Sequence, residues 1–274
     1  MAEGAGSLAG GVVPLVASLE GLPGAPVLVL GNSIGTSRAC WEPQIPALAR
    51  HFRVLRYEHR GHGTPDGGQS PAPPGPYSIA ELGADVLALL DAHGIERALY
   101  CGVSLGGMVG MWLAANAPDR IAGLGLSCTS AFLPPREGWT ARAAQVRSEG
   151  TASIADQVVG RWFTPAFQAT QPLVPAAFAE GLAQTQDEGY AGCCEAIAAM
   201  DLRASLGLIT APTLVIAGAQ DPATPPWHGA VIASLIAGSR LRVVRGGAHL
   251  SNVSAAAEVT AILLPFLREA AATR

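Results

Sequence analysis

Short apolar, β-branched runs alternate with segments of helical period along most of the chain. The runs lie at 27–30, 53–57, 97–101, 121–126, 213–216 and 241–244. None alternates strictly between apolar and polar residues, and a strand that is apolar on both faces belongs in a parallel sheet with helices on either side. The clearest helix opens at Ser78, whose hydroxyl caps the first turn while Glu81 completes a capping box. Ile79, Leu82, Val86, Leu89 and Leu90 then share one face, and Gly94 is a natural stop. The pattern predicts an α/β fold, a mostly parallel central sheet with helices on both faces.

Two regions interrupt the alternation. Residues 61–76 are rich in Gly and Pro and read as an exposed loop. Residues 134–200 lack convincing strands but hold several short helical patterns, beginning after Pro134-Pro135. A helical block between two sheet strands reads as an insertion, so the expected organisation is a core of residues 1–133 and 201–274 with a helical cap over 134–200. Such a cap would roof the carboxyl edge of the sheet, where open α/β folds bind ligands.

Composition narrows the chemistry. The 274 residues are 49% hydrophobic and 14% charged, which supports a substantial core and excludes wholesale disorder. All 17 basic residues are arginine, which removes a P-loop lysine, a Schiff-base lysine and a Ser-Lys dyad. A net charge of −4 without a basic tract makes nucleic acid a poor partner. No apolar run approaches a bilayer span, so no membrane partner is expected. The first basic residue is Arg38 and Glu3 is acidic, so no export signal is expected at the amino terminus. Five cysteines (Cys40, Cys101, Cys128, Cys193, Cys194) form an odd set that reads as reduced thiols in a cytoplasmic protein, with adjacent Cys193 and Cys194 as small buried helix residues. Neither C-x-x-C nor H-E-x-x-H occurs, and no metal or other cofactor is expected.

One pentapeptide dominates the candidate chemistry. Gly102-Val103-Ser104-Leu105-Gly106 is a G-x-S-x-G set between the strand at 97–101 and a helix through Met108, Met111 and Leu113. A nucleophile on a sharp strand-to-helix turn is sterically crowded, which is why glycines flank it. The helix amino terminus behind Ser104 would face developing negative charge. A serine hydroxyl needs a base. Of six histidines, His249 alone follows the last predicted strand and precedes the final helix, while His59 and His62 read as loop-shaping residues. Asp221 follows the strand at 213–216 and is the acid expected to orient His249. The order Ser104, Asp221, His249 is that of the α/β-hydrolases rather than of the unrelated serine proteases. The oxyanion hole needs two backbone N–H groups, assigned here to Leu105 and, in the small-residue loop 31–35, to Ser33.

At this point the chain resembles the 3-oxoadipate enol-lactonases. The resemblance is carried by Gly31-Asn32-Ser33-Ile34-Gly35-Thr36, by Trp41-Glu42-Pro43-Gln44, by the segments 56–63 and 75–79, and by the serine, acid and histidine segments. More specific are two stretches of the helical insertion, Arg161-Trp162-Phe163-Thr164-Pro165 and Glu188-Gly189-Tyr190-Ala191-Gly192-Cys193-Cys194. The likeness spans about residues 25–268. Departures are Val103 and Leu105 where Leu and Met are usual, Gly31 in place of a more usual Ser, and a longer loop over 64–74.

The resemblance implies opening of a five-membered enol-lactone to 3-oxoadipate in the catabolism of aromatic compounds, through an acyl-enzyme and without a cofactor. The substrate's free carboxylate needs a cationic partner. Trp139 and Arg142 of the insertion resemble a cap segment of the family and are the expected substrate-binding pair, arginine for bidentate recognition and tryptophan for shape. The expected partner is thus a small-molecule lactone, and a homo-oligomer is compatible with the sequence. The competing readings are a broad carboxylesterase, a cofactor-free perhydrolase, and a non-catalytic small-molecule receptor.

Overall fold

The computed structural model describes residues 11–64 and 67–273. The residues read for an export signal, 1–10, lie outside the described residues. Among the described residues nine strands occur in chain order: β1 (Ala17–Gly21), β2 (Val27–Gly31), β3 (Arg53–Tyr57), β4 (Gly63–Thr64), β5 (Gly68–Gln69), β6 (Ala98–Val103), β7 (Ile121–Ser127), β8 (Thr213–Gly218) and β9 (Arg240–Val244). Seven form one sheet in the order β1-β3-β2-β6-β7-β8-β9, and β4-β5 form a separate hairpin. Every pairing from β3 to β9 is parallel, while β1 runs antiparallel to β3 at the edge. The six strands read from the sequence are all present.

The helices preceding the insertion are α1 (Ile45–Leu48), α2 (Ile79–Ala92) and α3 (Leu105–Asn116). Helix α2 carries the expected capping box: the Glu81 N–H donates to Ser78 Oγ over 3.1 Å, and the Ser78 N–H donates to Glu81 Oε2 over 2.8 Å. Its apolar positions Leu82, Val86 and Leu90 are buried, and Gly94 stands just beyond it at φ 62°. The insertion contains α4 (Arg136–Glu149), α5 (Ala155–Val159), α6 (Pro165–Thr170), α7 (Leu173–Ala183) and α8 (Asp187–Ala199). After it come α9 (Pro226–Leu235), α10 (Ser251–Ser254) and α11 (Ala256–Ala272).

Helices cover both sheet faces because side chains alternate along each strand. On β7, Gly123 and Gly125 face α11 at Ala270 and Leu263, whereas Leu124 between them faces α3 at Gly110. Strand β6 is buried at all six positions. This central burial makes its carboxyl end a rigid platform.

Two expectations are corrected. Strand β1 does not appear among the strands read from the sequence: it is a short, half-buried edge strand, Ala-Ser-Leu-Glu-Gly, with polar residues inside it. The segment 61–76 is not simply an exposed loop. It forms the β4-β5 hairpin, and Gly61, His62, Gly63 and Ser70 are buried beneath α8 and the amino-terminal segment. Gly61 (φ 70°) lies against Gly189, where a side chain on either residue would strike the other's backbone.

An isolated bridge between Phe132 and Asp201 closes the base of the helical segment. Further ties hold the segment down: the Leu250 N–H donates to the Trp162 carbonyl over 3.0 Å and the Gln186 N–H to the Gly61 carbonyl over 3.0 Å. All five cysteines are buried and free. No helix among the described residues is long and apolar enough to cross a membrane.

Candidate active site

Ser104 stands on the bend between β6 and α3, at φ 53° and ψ −114°, a conformation that costs a non-glycine residue roughly 1–3 kcal/mol. Its backbone is held from three sides. The Ser104 N–H donates to the Ser127 carbonyl over 3.0 Å, and the Ser104 carbonyl accepts from the Met108 N–H over 3.0 Å and from Thr129 Oγ1 over 2.7 Å. The flanking glycines are required by space. A Cβ on Gly102 would strike the Gly106 carbonyl, and one on Gly106 would strike the Gly31 carbonyl and sit 2.9 Å from the Asn32 nitrogen.

Asp221 and His249 come from the loops after β8 and β9. His249 Nδ1 donates to Asp221 Oδ2 over 2.9 Å, which leaves Nε2 as the acceptor nitrogen. Asp221 is fixed in turn by Thr224 Oγ1, which donates to Oδ2 over 2.7 Å. The N–H groups of Ala223 and Thr224 donate to Oδ1 over 2.8 and 3.0 Å. Burial pushes the Asp221 carboxyl upward, but the His249 ring and these hydrogen bonds outweigh it and hold the pKa at about 2. Asp221 is therefore a charged acceptor across the working pH range. Thr224 was missed in the sequence, although a threonine three residues after an aspartate in a turn is a recognisable partner for its carboxylate.

The loop after β2 lies against the first turn of α3. The Gly106 N–H donates to the Asn32 carbonyl over 2.9 Å, so the two segments are in contact through backbone alone. Beneath this loop sits a buried polar layer. His62 Nδ1 donates to the Arg60 carbonyl over 2.8 Å while its Nε2 accepts the Gly35 N–H over 2.8 Å. His59 Nε2 donates to the Asn32 carbonyl over 3.1 Å. Asn32 Nδ2 donates to the Tyr57 carbonyl over 2.7 Å and to Glu58 Oε2 over 3.2 Å. Burial, with the neighbouring His62, lowers the His59 pKa to about 3, and burial lowers that of His62 to about 4. Both rings are thus neutral braces of the loop, in keeping with the loop-shaping role read from the sequence. Burial pushes Glu58 up to about 7, against the pull of the Arg38 N–H and of the Arg38 and Arg56 charges.

Ser104 and His249 open onto one cavity of about 230 Å³. Among the described residues no hydrogen bond joins the two, as is common before a substrate tightens such a pair. The cavity wall includes Ile34, Trp139, Arg142, Arg161, Trp162 and Thr224. Ile34 rather than Ser33 reaches it; Ser33 is fully buried with its hydroxyl unpartnered. The Arg142 guanidinium lies 4.7 Å from the centre of the Trp139 ring, a cation–π contact that orients both side chains. The two residues expected to bind substrate therefore line the same cavity as Ser104. Arg161, which opens one of the stretches that carry the family resemblance, joins them from the turn after α5; it was not assigned to binding, because nothing in the sequence separates a ligand clamp from a solvated arginine. Burial and the nearby Arg142 charge lower its pKa. Neither arginine has a carboxylate partner among the described residues, and no acid lines the cavity.

The family model of the α/β-hydrolase fold matches residues 19–256. The chain is 42% identical over 228 residues to 3-oxoadipate enol-lactonase 2 of Acinetobacter baylyi, covering 83% of each chain. It is 35% identical over 239 residues to 3-oxoadipate enol-lactonase 1 of the same organism, covering 87% of each. The crystal structure of the enol-lactonase from Burkholderia xenovorans LB400 superposes with a TM-score of 0.89 at 42% identity, covering 93% of this chain and 97% of that one. An elbow serine, a paired acid and histidine, and a sheet of this order accompany that likeness: the chain is a hydrolase of the α/β-hydrolase fold family and belongs among the 3-oxoadipate enol-lactonases.

Proposed function

We propose that the protein opens 3-oxoadipate enol-lactone to 3-oxoadipate, as its relatives' names indicate for them, in the breakdown of aromatic compounds. One observation carries the reading. The strained Ser104 and the Asp221-bound His249 open onto a single cavity whose wall bears Arg142 and Arg161, neither with a carboxylate partner among the described residues. A nucleophile beside an acid-free cationic wall suits a lactone that carries a free carboxylate.

His249 Nε2 accepts the Ser104 proton as Oγ bonds to the lactone carbonyl carbon, and Asp221 stabilises the imidazolium. The Leu105 N–H, in the first turn of α3 where helix donors lack acceptors, faces the developing oxyanion. The second donor is the N–H of Ile34, one residue beyond the Ser33 assigned from sequence, because Ile34 is the residue on the cavity wall. The C–O bond of the ring breaks, and the leaving enol oxygen takes the proton held by His249. The enol then tautomerises to a ketone. Water, deprotonated by His249, hydrolyses the acyl-serine, releasing the acid and Ser104. Trp139 and Arg142 hold the carboxymethyl group so that the carbonyl meets Ser104. Residues 134–200 act as the cap that closes over this pocket. Five buried, unpaired thiols support a cytoplasmic setting.

Loss of enol-lactone absorbance, followed for the native protein and for Ser104→Ala, tests the assignment. The variant should lose about 10⁶ in turnover, as removal of a triad nucleophile does. A native protein that hydrolyses p-nitrophenyl acetate but not the enol-lactone would favour the broad esterase instead.

A further inference from the structure

We propose that the cavity binds short dicarboxylates, with Arg161 as a second anion-holding residue beside Arg142, so that the opened diacid occupies the site more tightly than the lactone. The inference rests on the reading of the site given above and extends it to the product.

Its basis is the charge on the cavity wall. Two guanidiniums line the pocket, and among the described residues neither has a carboxylate partner. They come from independent elements, Arg142 from α4 and Arg161 from the turn after α5. The second is positioned by the backbone. The Arg161 N–H donates to the Val158 carbonyl over 3.1 Å, and the next carbonyl, that of Trp162, accepts the Leu250 N–H over 3.0 Å. Arg161 is thereby registered to the loop that carries His249. Arg142 is half-buried and Arg161 exposed on its outer side, and burial with the nearby Arg142 charge lowers the Arg161 pKa. An anion bridging the two guanidiniums relieves that repulsion.

Substrate and product differ in how well they meet it. The lactone bears one carboxylate and neutralises one cation. Hydrolysis adds the elements of water, turns the ring ester carbonyl into a second carboxylate and releases a proton, so the product carries one more negative charge. Only the diacid matches both guanidiniums. The consequence is inhibition by the product and by dicarboxylates of similar length.

The test uses turnover of the neutral ester p-nitrophenyl acetate, which does not depend on the identity of the lactone. Adipate and hexanoate, six-carbon acids with two and one carboxylates, compete against it in the native protein, Arg161→Gln and Arg161→Lys. Thermal-shift binding of both acids to Ser104→Ala repeats the comparison without turnover. Adipate should bind at least about tenfold more tightly than hexanoate, the value of one charge-assisted bidentate contact. Arg161→Gln should erase that ratio and Arg161→Lys should keep part of it. Equal binding of the two acids by the native protein, or an unchanged ratio in Arg161→Gln, overturns the proposal. An adipate preference in a protein inactive on the enol-lactone would support the dicarboxylate site while refuting the substrate assigned above.

Discussion

Asp221→Asn is the most informative single substitution, because the surroundings of Asp221 decide which way the new amide turns. Oδ1 accepts two backbone N–H groups, from Ala223 and Thr224, at 2.8 and 3.0 Å. Only an oxygen can stay there without facing two donors. The amide nitrogen must then take the place of Oδ2, where it meets His249 Nδ1 at 2.9 Å. A donor at that position forces Nδ1 to accept and moves the ring proton to Nε2, so His249 can no longer take the proton of Ser104. The side chain keeps its shape and packing while the base acquires the wrong tautomer. The expected loss is about 10⁴ in kcat, or roughly 5 kcal/mol of barrier. Initial rates on the enol-lactone at neutral pH measure it, and a thermal melt within a few degrees of the native protein establishes that the fold is intact. A loss of less than tenfold in a folded variant would refute the argument that Asp221 sets the His249 tautomer.

Three further outcomes follow from the same structure. Arg142→Ala should raise KM for the enol-lactone by about tenfold or more while sparing p-nitrophenyl acetate, since it removes a charge-assisted contact only the acid-bearing substrate makes; equal losses on both would end that assignment. Gly31→Ser, which restores the residue usual in the family, should destabilise the fold by about 2 kcal/mol in urea unfolding, because its Cβ would strike the Tyr100 hydroxyl and lie 2.9 Å from that of Tyr57. The double variant with Tyr100→Phe should recover part of that loss, and no recovery would mean the strain arises elsewhere. Stability should also fall as pH drops from about 6.5 to 4.5. In that window unfolded His59 and His62 bind protons that the folded rings, at about 3 and about 4, refuse, while folded Glu58, at about 7, holds a proton its unfolded form releases. Near pH 5.5 these three groups give a net uptake of about one proton on unfolding, a slope of roughly 1.4 kcal/mol per pH unit that is shallower toward pH 6.5, and His228, whose pKa burial also lowers, acts in the same direction. A flat stability profile across that range would contradict it.

Much of this was legible in the chain because burial and nucleophile geometry both write themselves into residue types. A doubly covered parallel strand must be largely apolar, so the central strands β2, β6, β7 and β8 stood out, while β3 and the exposed edge strand β9 were legible from shorter apolar runs between arginines. An elbow must be flanked by glycines, so Ser104 stood out as well. Asp221 and His249 followed from their positions after strands. What stayed hidden has physical reasons too. Strand β1 pairs at an edge and needs no apolar run. An oxyanion donor is a backbone N–H, which any residue supplies, so no side chain in the loop 31–35 marks which residue gives the second donor. Arg161 becomes meaningful only when the fold brings the turn after α5 beside α4. The buried surroundings of His59 and His62, which fix their neutral state, depend on packing between the hairpin and α8 that no local pattern announces.

The most direct measurement is rapid-quench mass spectrometry of the native protein mixed with excess enol-lactone, followed by peptide mapping. An added mass equal to one opened lactone, carried on the peptide containing Ser104 and absent from Ser104→Ala, is the predicted result. Full turnover with no adduct in the native protein under acid quench, or an adduct on another residue, would contradict the assignment of Ser104 as the nucleophile.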